Sequence, residues 1–184
     1  ANRTPGADVA VEYLGILGGR INAQLRLVRN LGEVTDGSLD PQAGCSAHVG
    51  TGVLEVALRE QSSRPVMGIA EAAVLTAMTL GQRFGILSIL RGSIPRHMRY
   101  FGAMGVMDRL AGDEPLELGV LELADETRTF ERLKTVGASL RDGAGADVLI
   151  LGCAGMTAFR GDLEAQLGIP VVEPCQAATA MAIG

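Results

Sequence analysis

The run Asp147-Val148-Leu149-Ile150-Leu151-Gly152-Cys153-Ala154-Gly155-Met156 puts a thiol where chemistry is possible. Val148 to Leu151 is unbroken apolar sequence between a Gly/Ala turn and a glycine, which predicts a strand buried on both faces. In open α/β sheets, ligands lie beyond the carboxyl ends of the strands. Cys153 comes just past such an end. Its neighbours Gly152, Ala154 and Gly155 are small enough to let a ligand approach the backbone. A cysteine outside a disulfide is more often a small buried hydrophobe, so a chemical role needs support from elsewhere in the chain.

A second cysteine supplies it. From Cys45 the chain runs through small residues and a helical pattern to Pro65-Val66-Met67-Gly68-Ile69-Ala70-Glu71-Ala72-Ala73. From Cys153 it runs through a helical pattern to Pro170-Val171-Val172-Glu173-Pro174-Cys175-Gln176-Ala177-Ala178. Cysteine and proline are 20 residues apart in the first segment and 17 in the second. Two related half-domains facing each other would set one thiol on each side of a ligand. Inverting a C–H stereocentre needs a base on one face and an acid on the other. A thiol, with an ordinary pKa of about 8.5, can act as either once its surroundings favour the thiolate. The backbone N–H groups of Ala154 and Gly155, near a helix start, could stabilise an enolate-like oxygen.

The elements needed to position these residues follow from periodicity. Besides 148–151, strands are predicted within 8–14, 65–69, 83–90, 116–123 and 170–173. Helices are predicted at 53–61, at 70–78 with Gly81 as C-cap, and from an N-cap at Ser93, with Pro95 in its first turn, to Gly102 or Gly105. Three more are predicted: 126–142 capped by Asp125, 158–167 stopped by Gly168, and a last one from Gln176. Residues 33–44 read as loop. Strands alternating with helices predict a parallel α/β sheet with right-handed crossovers.

Composition narrows the function. The hydrophobic share of 47% is ample for a core, while 3% aromatics and 25 Gly suggest small-residue packing. A net charge of −5 with no basic run argues against a nucleic-acid surface. No apolar run reaches the roughly 18 residues of a membrane span. Three well-separated cysteines suit a reducing compartment, so a cytoplasmic location is expected. Cys45-x-x-His48, with His97 the only other histidine, is a poor zinc set, since zinc takes four ligands. No metal or cofactor is expected. Cys175 reads as packing or pocket lining, Asp162 as a helix cap, and Arg91 and Arg96 as solvated or, as the alternative, as attracting an anionic ligand.

Three motifs carry a family resemblance. They are Pro65-Val-x-Gly-Ile-Ala-Glu-Ala-Ala73, Arg83-Phe-Gly-Ile-Leu-Ser-Ile89 followed by Ser93-Ile-Pro95, and Gly145-Ala-Asp-Val-Leu-Ile-Leu-Gly-Cys-Ala-Gly-Met156. Over residues 64–184 the chain resembles the hydantoin racemase branch of the aspartate/glutamate racemase superfamily. The resemblance implies two pseudo-symmetric Rossmann-like lobes with parallel sheets and an active-site cleft between them. It implies cofactor-independent racemisation alpha to a carbonyl, of a hydantoin or allantoin-type ring, by two cysteines. Cys153 matches the second catalytic cysteine, and Cys45 falls where the first would be. Ser88 and Ile89 match a pair lining the substrate's carbonyl side. Ser46, Gly68, Ile69, Glu71, Ala154 and Gly155 complete the expected substrate contacts. A homo-oligomer is also implied, as are related decarboxylases and isomerases; a non-catalytic ligand-binding homologue is the alternative outside enzymes. The departures are N-terminal. The family's Asn-Pro-Asn strand end has no counterpart, and 36–44 is no strand, so residues 1–75 are expected to form an incomplete N-terminal lobe to which the final helix could return. Residues 76–184 are expected to form the second lobe.

Overall fold

The computed structural model describes residues 10–11, 59–60 and 66–183. The expectations for Cys45, Ser46 and His48 lie outside the described residues, as do those for 33–44 and most of 53–61.

Two parallel sheets are present among the described residues. The smaller pairs β1 (Ala10–Val11) with β2 (Val66–Met67). The larger holds β3 (Phe84–Ser88), β4 (Leu110–Pro115), β5 (Val148–Leu151) and β6 (Val171–Val172) in the order β4-β3-β5-β6, all parallel. The helices are α1 (Ile69–Leu80), α2 (Ile94–Met104), α3 (Glu126–Ala138), α4 (Arg160–Leu167) and α5 (Pro174–Ile183). Residues 75 and 76, where the sequence divides the lobes, fall inside α1. No helix among the described residues is long and apolar enough to cross a membrane.

The central strands are apolar throughout because both faces are covered. Leu87, Leu149 and Leu151 point into a core shared with Leu133, Val136 and Leu140 of the α3 segment and with Leu163 and Leu167 of α4. Phe84, Ile86, Val148 and Ile150 alternate onto the other face. There they meet Ala72, Ala73 and Ala77 of α1, Phe101 of α2, and Ala177 and Ala178 of α5.

Three local expectations need correction. The predicted strand 116–123 is not a strand. Leu116 and Leu118 do face the core, and their N–H groups donate to Ser88 O at 2.7 Å and Ile89 O at 3.1 Å. The alternation therefore reported a real extended stretch. Its second half instead turns as a short 3₁₀ helix, Val120–Ala124, begun by Glu122 accepting from the Gly119 N–H at 2.7 Å, which leaves Leu121 90% exposed. The strand proper is β4, Leu-Ala-Gly-Asp-Glu-Pro, a half-buried sheet edge that needs no apolar alternation.

Ser93 stands at the N-cap position but does not cap. A 3₁₀ turn, Arg91–Ser93, runs straight into α2, so Ser93 is already helical and its hydroxyl donates back to Leu90 O at 2.8 Å. Asp162 sits inside the first turn of α4, whose cap is Phe159. Asp125 does cap α3, accepting from the Arg128 N–H at 3.0 Å.

Candidate active site

Because the strands of the large sheet run parallel, Ser88, Pro115, Cys153 and Glu173 all stand at its carboxyl edge, where such sheets bind ligands. Local backbone chemistry shapes that edge. The Gly152 N–H donates to Leu87 O at 2.9 Å. A Cβ on residue 152 would lie 2.7 Å from that same oxygen and 3.2 Å from Ser88 Cα. Only glycine lets β3 and β5 close up here, directly before the thiol.

Cys153 is half-buried, with extended backbone (φ −149°, ψ 135°). Its carbonyl accepts the Met156 N–H at 3.0 Å and so starts the 3₁₀ turn Ala154–Phe159. Thr157 Oγ1 tightens the turn by donating to Ala154 O at 2.6 Å. A Cβ on Gly155 would come 3.6 Å from Cys153 Sγ and 3.0 Å from Leu123 Cδ1, so Gly155 lies against the sulfur. The first amides of a helical turn have no acceptor within it. Those of Ala154 and Gly155 therefore begin the turn beside the thiol.

The other expected contacts are placed as follows. Ser88 and Ile89 are buried, and Ile89 packs in the core beside Leu87. Gly68 is the buried N-cap residue of α1, with Ile69 half-buried after it. Glu71, in the first turn of α1, pairs with Arg59, whose Nε also donates to Val66 O at 3.0 Å. Cys175 is half-buried, and its N–H donates to Glu173.

Two polar groups at this edge went unread in the sequence. Glu173 is 2% exposed, and its carboxylate accepts the N–H groups of Cys175 (3.0 Å) and Gln176 (2.8 Å), capping α5. Pro174, at the first helical position, is the sequence signal for this helix start. The second is a buried cluster. Ser88 Oγ donates to Asp113 Oδ1, and His97 Nδ1 lies 2.7 Å from Asp113 Oδ2 and 3.4 Å from Ser88 Oγ. Asp113 carries no signal in the sequence because β4, Leu-Ala-Gly-Asp-Glu-Pro, lacks the alternation that marks a strand. Among the described residues, no three His, Cys, Asp or Glu side chains converge as metal ligands would.

The Asp/Glu/hydantoin racemase family model matches residues 27–182. The chain belongs to the Asp/Glu/hydantoin racemase family. Within that family it is 36% identical over 131 residues to the hydantoin racemase of Paenarthrobacter aurescens, covering 68% of this chain and 54% of that protein. It is 33% identical over 127 residues to the hydantoin racemase of Rhizobium meliloti, covering 68% and 53%. The fold matches the allantoin racemase structure from Pseudomonas fluorescens with a TM-score of 0.68 and 29% identity, covering 70% of this chain and 55% of that one. The chain thus spans about half the length of these relatives. The family match takes in both position 45 and position 153.

Proposed function

We propose that this protein is a cofactor-independent racemase acting on a carbon alpha to a carbonyl, in a 5-substituted hydantoin or allantoin-type ring. The observation that carries the reading is Cys153. It sits at the carboxyl edge of a parallel sheet, against Gly155 and the opening amides of a helical turn, in a chain whose relatives include hydantoin racemases. In the proposed reaction one thiolate takes the α-proton from one face of the ring. The electron pair passes to the carbonyl, and backbone N–H groups stabilise the enolate oxygen. The other thiol returns a proton on the opposite face. Cys153 is one of the pair and Cys45 the other, with Ser46, Gly68, Ile69, Glu71, Ser88, Ile89, Ala154 and Gly155 forming the substrate's surroundings.

Two separate parallel sheets support the reading of two Rossmann-like lobes, 1–75 and 76–184, with the site between them. So does the packing of α5 on α1 and β1, which ties the end of the chain to its beginning. The substrate is a small molecule, the location cytoplasmic and the assembly a homo-oligomer in this reading.

The test is the optical rotation of an enantiopure 5-alkyl hydantoin incubated with the purified protein. Rotation decaying to zero at constant mass supports racemisation. Release of carbon dioxide would replace it with a decarboxylase, and unchanged rotation with retained binding would leave a ligand-binding protein.

A further inference from the structure

The cluster of Ser88, Asp113 and His97 joins three elements at the carboxyl edge. Ser88 is the last residue of β3, Asp113 lies on the edge strand β4, and His97 is in the first turns of α2. Ser88 and the Asp113 side chain are each 1% exposed, and the His97 side chain is 18% exposed. A buried carboxylate is costly unless its lone pairs are used. Here both oxygens are used, one by the serine hydroxyl and one by the imidazole. Carboxylate and imidazole hold each other, which fixes the ring's orientation. If stability alone were at stake, an apolar residue on this edge strand would serve as well or better.

The position of the cluster gives it a use. Ser88 O accepts the Leu116 N–H, and its neighbour's carbonyl, Leu87 O, accepts the Gly152 N–H. Gly152 has no side chain to prop β3 and β5 apart, and it is followed at once by Cys153. Whatever fixes the end of β3 therefore fixes the backbone on which the thiol is mounted. We infer that Asp113 and His97 are positioning residues. Acting through Ser88, they hold the end of β3 against Gly152 and so hold Cys153 in its reacting geometry. This inference rests on the racemase reading above.

Displacing a reacting group by about 1 Å can cost on the order of a hundredfold in rate, while Gly68, Ile69 and Glu71, which also surround the ring in this reading, stand at the start of α1, outside the cluster. His97→Ala should therefore lower kcat by about ten- to a hundredfold, with KM changed less than kcat. His97→Asn keeps a donor near the position of Nδ1 and should recover most of that loss, which a merely space-filling role would not predict. Hydrogen exchange gives a readout independent of activity. In His97→Ala the amides of Gly152 and Leu116 should exchange at least about tenfold faster, while Asp147 N–H, bonded to Arg83 O at the other end of β3, stays near its wild-type rate.

Wild-type protein that racemises, with His97→Ala keeping its kcat, overturns the inference and leaves the racemase reading standing. So does exchange that rises equally at Asp147 and Gly152. Wild-type protein that racemises no hydantoin overturns the racemase reading, and the positioning role falls with it.

Discussion

The chain builds one strand–helix unit twice, and the residue between strand and helix differs in kind between the copies. In β2–α1 and β6–α5, a short apolar strand leads into a helix whose Ala-Ala pair is buried: Ala72 and Ala73 in one, Ala177 and Ala178 in the other. The two helices pack on each other. Between strand and helix stands Gly68 in the first unit and Glu173 in the second. Glu173 seals the start of α5, spending its buried carboxylate on two backbone N–H groups. Gly68 has extended backbone and offers α1 no side-chain cap, while Glu71 is turned aside to Arg59. A helix start already bound to a carboxylate cannot serve a ligand oxygen, whereas an uncapped one can. In the proposed reaction, one copy of the unit closes the fold and the other faces substrate.

Making the copies alike should break this asymmetry. Gly68→Asp gives α1 the kind of cap α5 has, at a φ and ψ (−83°, 133°) that suit an N-cap. The cap itself should add about a few tenths of a kcal/mol of stability. The carboxylate would compete with the substrate's developing oxyanion, so kcat/KM should fall by about a hundredfold. Steady-state kinetics beside urea unfolding checks both halves, and unchanged kinetics would remove Gly68 from the site.

The reverse change tests the sealed copy. Glu173→Ala orphans the N–H groups of Cys175 and Gln176 and should cost about 1–3 kcal/mol. Glu173→Gln keeps one acceptor and should cost less. Urea midpoints order the three proteins. A loss of activity at unchanged stability would contradict the closing role of this unit.

A smaller effect sharpens the role of burial. Asp147, like Glu173, accepts two backbone N–H groups, from Gln82 at 2.8 Å and Arg83 at 2.9 Å, but it does so in solvent at the amino edge. Burial pushes its carboxyl up, yet those N–H donors and nearby Arg109 outweigh it and hold it below the ordinary value. A lowered folded-state value means that the stabilisation is complete above the ordinary carboxylate range and is lost as pH falls through and below it. The stability difference between wild type and Asp147→Asn should therefore be flat near neutrality and shrink in acid. Unfolding midpoints from pH 7 down to pH 3 would show it.

Much of the fold was legible because burial writes itself into simple patterns. The runs 84–88 and 148–151 are apolar on both faces, and the helices around them carry buried stripes. The paired Pro-Val and Ala-Ala motifs announced the repeated unit, and the glycine before Cys153 marked the strand end. What stayed hidden depends on partners. β4 is an edge strand of mixed residues whose register comes from β3. Asp113 and His97 are 16 residues apart in sequence and meet only through that register. Leu116 and Leu118 look like a strand of their own, yet their N–H groups bond to Ser88 O and Ile89 O directly after the β3–β4 pairing.

The proposed reaction sets two thiols on opposite faces of one carbon. The direct measurement is α-proton exchange and racemisation of each hydantoin enantiomer in deuterated water, with Cys45→Ser and Cys153→Ser. Serine is a far weaker base than a thiol at neutral pH, so racemisation should stop in both directions in either variant. Each surviving thiol should still exchange the proton on its own face with retention. Cys45→Ser should then label one enantiomer slowly and Cys153→Ser the other. Non-additive loss in the double variant would mark the pair as a unit. Racemisation by either single variant at the wild-type rate would contradict the two-thiol reaction.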